Sequence, residues 1–113
     1  MCFFTGSSDL TRVFVKKGED VSLIVTEAPN DLTKEDFVFW SFNKKTNLVR
    51  FTASGEPTVL DAYKERIESL GKKFSLILKN LQDADSGVYT AQVFGEGDRQ
   101  ITGYNVTVHG RFV

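Results

Sequence analysis

Side chains able to do chemistry are few in this chain, and their spacing assembles no reaction centre. The only His, His109, closes the last alternating segment, and the only Cys, Cys2, lies in an irregular leader. From these two no nucleophile, base and orienting group can be put together. No His, Cys, Asp or Glu spacing resembles a metal site either. One Cys cannot form an internal bridge, so Cys2 reads as a tail thiol. Phe94-Gly95-Glu96-Gly97 has the glycines of a phosphate-cradling loop, but no helical pattern follows to offer its N-terminus, and a hairpin turn accounts for both glycines. Asn105-Val106-Thr107 fits the acceptor pattern for N-glycosylation. Five Asn and eighteen Ser or Thr produce about 0.8 such triplets by chance, so the match alone is no argument for secretion. If occupied, Asn105 would project a sugar from the last strand and narrow any contact face there. The chemistry expected is therefore binding, with no catalysis, cofactor or metal.

At 113 residues the chain is long enough for one buried core and too short for two. Fourteen basic and fifteen acidic side chains leave a net charge of -1, which supplies no global field toward nucleic acid or anionic lipid. No small-molecule substrate is indicated. No apolar run reaches bilayer length, and no secretory signal pattern precedes the domain. The chain reads as an excised module: residues 1–12 as a leader or short extension, 13–109 as the domain, 110–113 as the start of a linker.

The elements that must position any binding residues are strands. Short alternating segments punctuated by Gly, Asn, Asp and Lys dominate, and apolar residues nowhere keep helical spacing for three turns. The pattern predicts strands at 12–16, 20–26, 37–43, 48–52, 63–68, 73–80, 87–94 and 100–109, with a weaker one near 58–60. Asp85-Ser86-Gly87-Val88-Tyr89-Thr90-Ala91 resembles the corner of an immunoglobulin domain, where a Tyr two residues before the usual second Cys bonds back to upstream backbone. Here Ala91 fills the Cys slot, Val25 fills its partner's, and Trp40 follows at the spacing of the core Trp. A bridge between positions 25 and 91 would close a loop of about 67 residues and contribute about 4 kcal/mol. Packing of Val25, Trp40, Tyr89 and Ala91 must stand in for it. The 49-residue step from Trp40 to Tyr89 leaves room for extra strands, so the expected fold is all-β: a variable-type immunoglobulin sandwich of two antiparallel sheets without an inter-sheet disulfide.

If Trp40 points inward, alternation turns Val38, Phe42, Val21, Leu23, Val25, Leu76, Leu78, Leu81, Tyr89, Ala91, Val93, Val106 and Val108 inward as well. Arg66 is then expected to pair with Asp85 at the lower end, or to be a solvated charge. Phe37, Phe39 and Ser41 must face outward, joined by Val88, Thr90, Gln92 and Phe94 from the segment at 87–94. Apolar rings turned toward water mark a contact surface. The plainer alternative tucks Phe37 and Phe94 beneath loops and leaves Phe39 alone. Lys44 and Lys45 lie in one loop, Glu96 and Asp98 in another, an arrangement that suits a two-fold self-contact or simply two solvated loops.

Several segments resemble the membrane-distal variable domain of the signalling lymphocytic activation molecule (SLAM) family of leukocyte receptors. They are Phe39-Trp40-Ser41-Phe42-Asn43, Tyr63-Lys64-Glu65-Arg66-Ile67 through Leu70-Gly71, Phe74 to Leu81 with the corner, and Tyr104-Asn105-Val106-Thr107-Val108. The resemblance spans roughly 13–109 and is most specific between 63 and 81. It implies a cell-surface receptor ectodomain, anchored by parts outside this sequence, that binds an identical or related immunoglobulin domain. Contact would run through the sheet carrying segments 37–43, 48–52, 87–94 and 100–109, lettered C, C′, F and G in such domains. The positions this implies are Phe37, Phe39, Ser41, Lys44, Arg50, Thr90, Gln92, Phe94, Glu96 and Arg99, with a weak homodimer as one outcome. Leu48-Val49-Arg50-Phe51 leaves open which residues of that strand face out. Gly87-Val88-Tyr89-Thr90-Ala91-Gln92-Val93 and Ile101-Thr102-Gly103 also look much like the first domain of the carcinoembryonic-antigen-related adhesion molecules, the runner-up, which also lacks the bridge; the Tyr63 to Gly71 segment does not. A structural immunoglobulin repeat without its own ligand is the third reading, because reducing compartments select against disulfides.

Overall fold

The computed structural model describes residues 10–95 and 98–110. Nine strands run in chain order: β1 Thr11–Lys16, β2 Val21–Leu23, β3 Phe37–Phe42, β4 Thr46–Thr52, β5 Pro57–Val59, β6 Ile67–Ser69, β7 Leu76–Leu78, β8 Gly87–Phe94 and β9 Arg99–His109. Single 3-10 turns lie at Asp61–Tyr63 and Asp83–Asp85. A six-stranded sheet in the order β1-β9-β8-β3-β4-β5 faces a three-stranded sheet in the order β2-β7-β6. All pairs are antiparallel except one: β1 runs parallel to β9, from Thr11 beside Tyr104 to Lys16 beside His109. The leader with Cys2 lies outside the described residues.

The space between the sheets is filled around Trp40, whose indole is fully buried. Its Nε1 donates to the Phe74 carbonyl at 2.7 Å, and its ring lies 6.1 Å from that of Tyr104. This bond crosses from one sheet to the loop before β7, so it couples the two layers where a disulfide does not. Val25 and Ala91 are both buried. Of the residues that alternation turns inward, all are buried but Phe42, which is half-buried with its ring 4.9 Å from Tyr89.

The smaller sheet is shorter than the alternation predicts, because side chains take over its backbone partners. β2 stops at Leu23: the Ile24 amide donates to the Tyr104 hydroxyl at 3.2 Å, that hydroxyl donates to the Ile24 carbonyl at 2.7 Å, and the Val25 amide donates to Ser75 Oγ at 2.9 Å. β7 is bounded by left-handed backbone at Phe74 and Asn80, φ 64° and 56°, which regular strand geometry excludes. Residues 63–66 belong to a turn, with the Arg66 amide donating to the Tyr63 carbonyl at 2.9 Å, so β6 starts only at Ile67.

The corner before β8 is a closed polar network. Arg66 forks onto Asp85 at 3.1 and 2.8 Å and also donates to the carbonyls of Lys79 and Asn80. The second oxygen of Asp85 takes the Gln82 amide at 2.7 Å, and the Tyr89 hydroxyl donates to the Asp85 carbonyl at 2.6 Å. Asp85, by hydrogen bond and charge, raises the Arg66 pKa against a smaller desolvation effect. Gly87 is required beside this corner: a Cβ there would fall 2.5 Å from the Phe42 ring.

Two outcomes follow for stability. Trp40→Ala removes the largest core ring and leaves the buried Phe74 carbonyl unpaired, so it should cost about 5 kcal/mol, the upper end for such truncations. A denaturant midpoint near that of the unsubstituted chain would contradict the role given to the indole. Burial first, and Asp85 second, push the Tyr89 phenol well above the ordinary tyrosine value. A raised acid stays neutral in the fold, so its stabilisation is complete below about pH 10 and drains away as pH climbs through the raised value. Tyr89→Phe should start about 1–3 kcal/mol lower at neutral pH and lose that gap above about pH 10. A gap independent of pH would refute the assignment.

Candidate recognition face

The outer face of the six-stranded sheet is built by the register that Trp40 sets. Phe37 stands opposite Phe94, and Phe39 opposite Gln92 on β8 and Arg50 on β4. Phe37, Phe39 and Phe94 are each half-buried, neither sealed beneath loops nor fully in water. Their rings touch, Phe39 to Phe94 at 4.9 Å between centroids and Phe37 to Phe39 at 6.3 Å in an edge-on arrangement. The Arg50 guanidinium lies over the Phe37 ring, 4.8 Å from its centroid. An exposed cation on an aromatic face is worth about 0.5–1 kcal/mol, and it holds the arginine flat on the sheet. The result is an aromatic floor with one positive charge beside it and the amide of Gln92 between.

Two positions expected in contact are withdrawn from the surface. Ser41 is 7% exposed and Thr90 1%, and their hydroxyls approach each other at 3.3 Å. They do face outward, but both are small, and their row of the sheet is overlaid at Gly103, beside Thr90. Gly103 stands beside Thr90, and the bare backbone lets Leu10 and Gln100 lie across it: a Cβ at position 103 would fall 2.5 Å from the Leu10 side chain. Ser41 and Thr90 therefore offer little accessible surface in this arrangement.

The remaining positions spread to two ends. Lys44 is exposed in the turn after β3, where Asn43 and Lys44 both take positive φ, and Asn43 locks that turn to β8 through both Val88 backbone groups. It lies beyond the end of β3 opposite Phe37, a six-residue strand about 17 Å long. Arg99 is at the Phe94 end, held by Asp31 at 2.7 Å. Glu96 falls outside the described residues. Asn105 is partly exposed on the same outer face, flanked by Val88 and Arg12.

Sequence reasoning did not find three supports of this face. Asp36 is buried, takes the Thr33 amide at 2.9 Å, and packs so close under Gly95 that no side chain fits there, which ties the loop before β3 to the end of β8. Leu10 and Gln100 are the other two. On β4 a bulge opposite Trp40 and Ser41 turns both Leu48 and Val49 inward, leaving Arg50 outward and Phe51 buried. No two-residue period reveals a bulge, which is why that strand's faces were open. Between the loops, Leu32, Thr33, Lys34, Thr52, Ala53 and Ser54 line an open recess of about 450 Å³ with no convergent charged groups. Among the described residues no cluster of His, Cys, Asp or Glu could hold a metal, and no helix is long and apolar enough to cross a membrane.

Solved structures carry the same fold. The first immunoglobulin-like domain of human CD48 superposes with a TM-score of 0.74 at 17% identity, over 97% of this chain and 90% of that one. CD84, a SLAM family receptor, gives 0.66 at 23% identity over 91% of this chain and all of its own, and Tim-1 gives 0.71 at 18% over 94% and 97%. CD48 and CD84 are members of the SLAM family, whose front domains the sequence resembles; at these identities the likeness is one of fold. The immunoglobulin V-set domain, a recognition fold rather than a catalytic one, matches residues 9–109. This chain belongs to the immunoglobulin V-set family.

Proposed function

We propose that this domain is the recognition module of an immune-cell surface receptor, and that it binds another immunoglobulin-type domain, identical or related, through the outer face of β9, β8, β3 and β4. One observation carries the reading: Phe37, Phe39 and Phe94 form a contiguous, partly exposed aromatic cluster with Arg50 laid over the Phe37 ring. Aromatic rings and Arg are the residue types that anchor protein interfaces, and their side chains here are already held in place, so little ordering entropy is lost on binding. A purely structural repeat has no reason to keep three rings partly exposed. The likeness in fold to CD48 and CD84 supports the receptor setting.

Self-association is the first case to measure, by sedimentation over a concentration series. The unsubstituted chain should associate and Phe39→Asp should not, with unchanged thermal unfolding as the control for folding. Equal monomeric behaviour of both removes the homophilic case, and equal binding of both to every immunoglobulin-domain partner they engage removes the face. If a two-fold contact sets Lys44 and Lys45 against Glu96 and Asp98 of a second copy, reversing the two lysines weakens association and reversing all four residues restores it. Failure of that restoration excludes the two-fold geometry.

A further inference from the structure

The other end of the same sheet presents a second apolar feature. Phe14 is 69% exposed, the most exposed large apolar side chain among the described residues. It lies on the edge strand β1 directly beside Thr107, and Arg12 lies beside Asn105, so Phe14 is the diagonal neighbour of the asparagine. Strand spacing puts that diagonal at about 8 Å, the breadth of one sugar ring. Val88 flanks Asn105 on the opposite side and is half-buried. Asn105 and Thr107 form the chain's single acceptor triplet, and among the described residues neither side chain is engaged in a hydrogen bond within the fold. Asn43 and Asn80, by contrast, have side chains bound into turns.

We propose that Asn105 carries an N-linked glycan whose first N-acetylglucosamine lies over Phe14 and Val88, so that sugar closes one end of the sheet and the Phe37, Phe39 and Phe94 end alone stays open. The amide nitrogen of Asn105 gives up a proton and bonds to the anomeric carbon of a lipid-pyrophosphate-linked oligosaccharide, and the lipid pyrophosphate leaves. The apolar face of the pyranose then covers the Phe14 ring, which is 69% exposed. This extends the proposed function by dividing its face, and it rests on that reading only for the compartment in which the transfer occurs.

The test is secretion of the full chain from mammalian cells, with mass spectrometry before and after peptide-N-glycosidase. A single glycan should be present, its removal should convert Asn105 to Asp, Thr107→Ser should retain it and Thr107→Ala should abolish it. Enzymatic removal should lower Tm by about 3 °C in the unsubstituted chain and leave Phe14→Ser unmoved. An unmodified Asn105 in the secreted protein overturns the site, and an equal Tm shift in both chains overturns the covering of Phe14. Partner binding by Phe39→Asp is read separately, by association, so either proposal fails without the other.

Discussion

The Trp40 side chain, sealed between two sheets and bonded to the Phe74 carbonyl, is the constraint on which the rest of this domain depends. A strand residue that points inward forces its neighbours outward. Fixing the indole therefore sends Phe39 to the far side of β3 and Phe37 with it, and cross-strand pairing brings Phe94, Gln92 and Arg50 alongside. Core and surface are thus two consequences of one orientation. The aromatic cluster outside is no defect of packing that a better core would absorb, since absorbing it would turn the indole out.

Stability without the inter-sheet disulfide comes from several polar ties across the layers. The indole bond and the Tyr104 hydroxyl that both donates to and accepts from Ile24 each link the six-stranded sheet to the smaller one, and Ser75 beneath Val25 ties the continuations of β2 and β7 within the smaller sheet. The Arg66, Asp85 and Tyr89 network closes the lower end. Each tie is directional and satisfied, so removing one partner strands a buried polar group on the other. The bonds at Ile24 and Val25 also end β2, so the smaller sheet gains specificity where it gives up ladder bonds.

The large sheet's outward alternation on β3 and β8 was legible, because Trp40 and the corner before β8 anchor both strands at known offsets. The inward set was legible for the same reason. What escaped were features that a two-residue period cannot encode. The bulge on β4 buries Leu48 and Val49 together. Side chains replace backbone partners at Ile24 and Val25. Leu10, just before β1, lies over the bare backbone of Gly103, and Ser41 and Thr90 are buried despite facing outward. Facing outward and being accessible are separate properties, and only coordinates distinguish them. A glycine in the middle of a strand was the available clue that something approaches closely there.

The proposed contact lies at the aromatic end of the six-stranded sheet. Backbone and aromatic NMR signals followed while the chain is concentrated, or titrated with an immunoglobulin-domain partner, test it residue by residue. Shifts or broadening gathered on Phe37, Phe39, Arg50, Gln92 and Phe94, with Ser22, Ile77 and Glu68 on the outer side of the smaller sheet silent, are what the account requires. Perturbation centred on Ser22, Ile77 and Glu68, with the Phe39 ring unmoved, would contradict it.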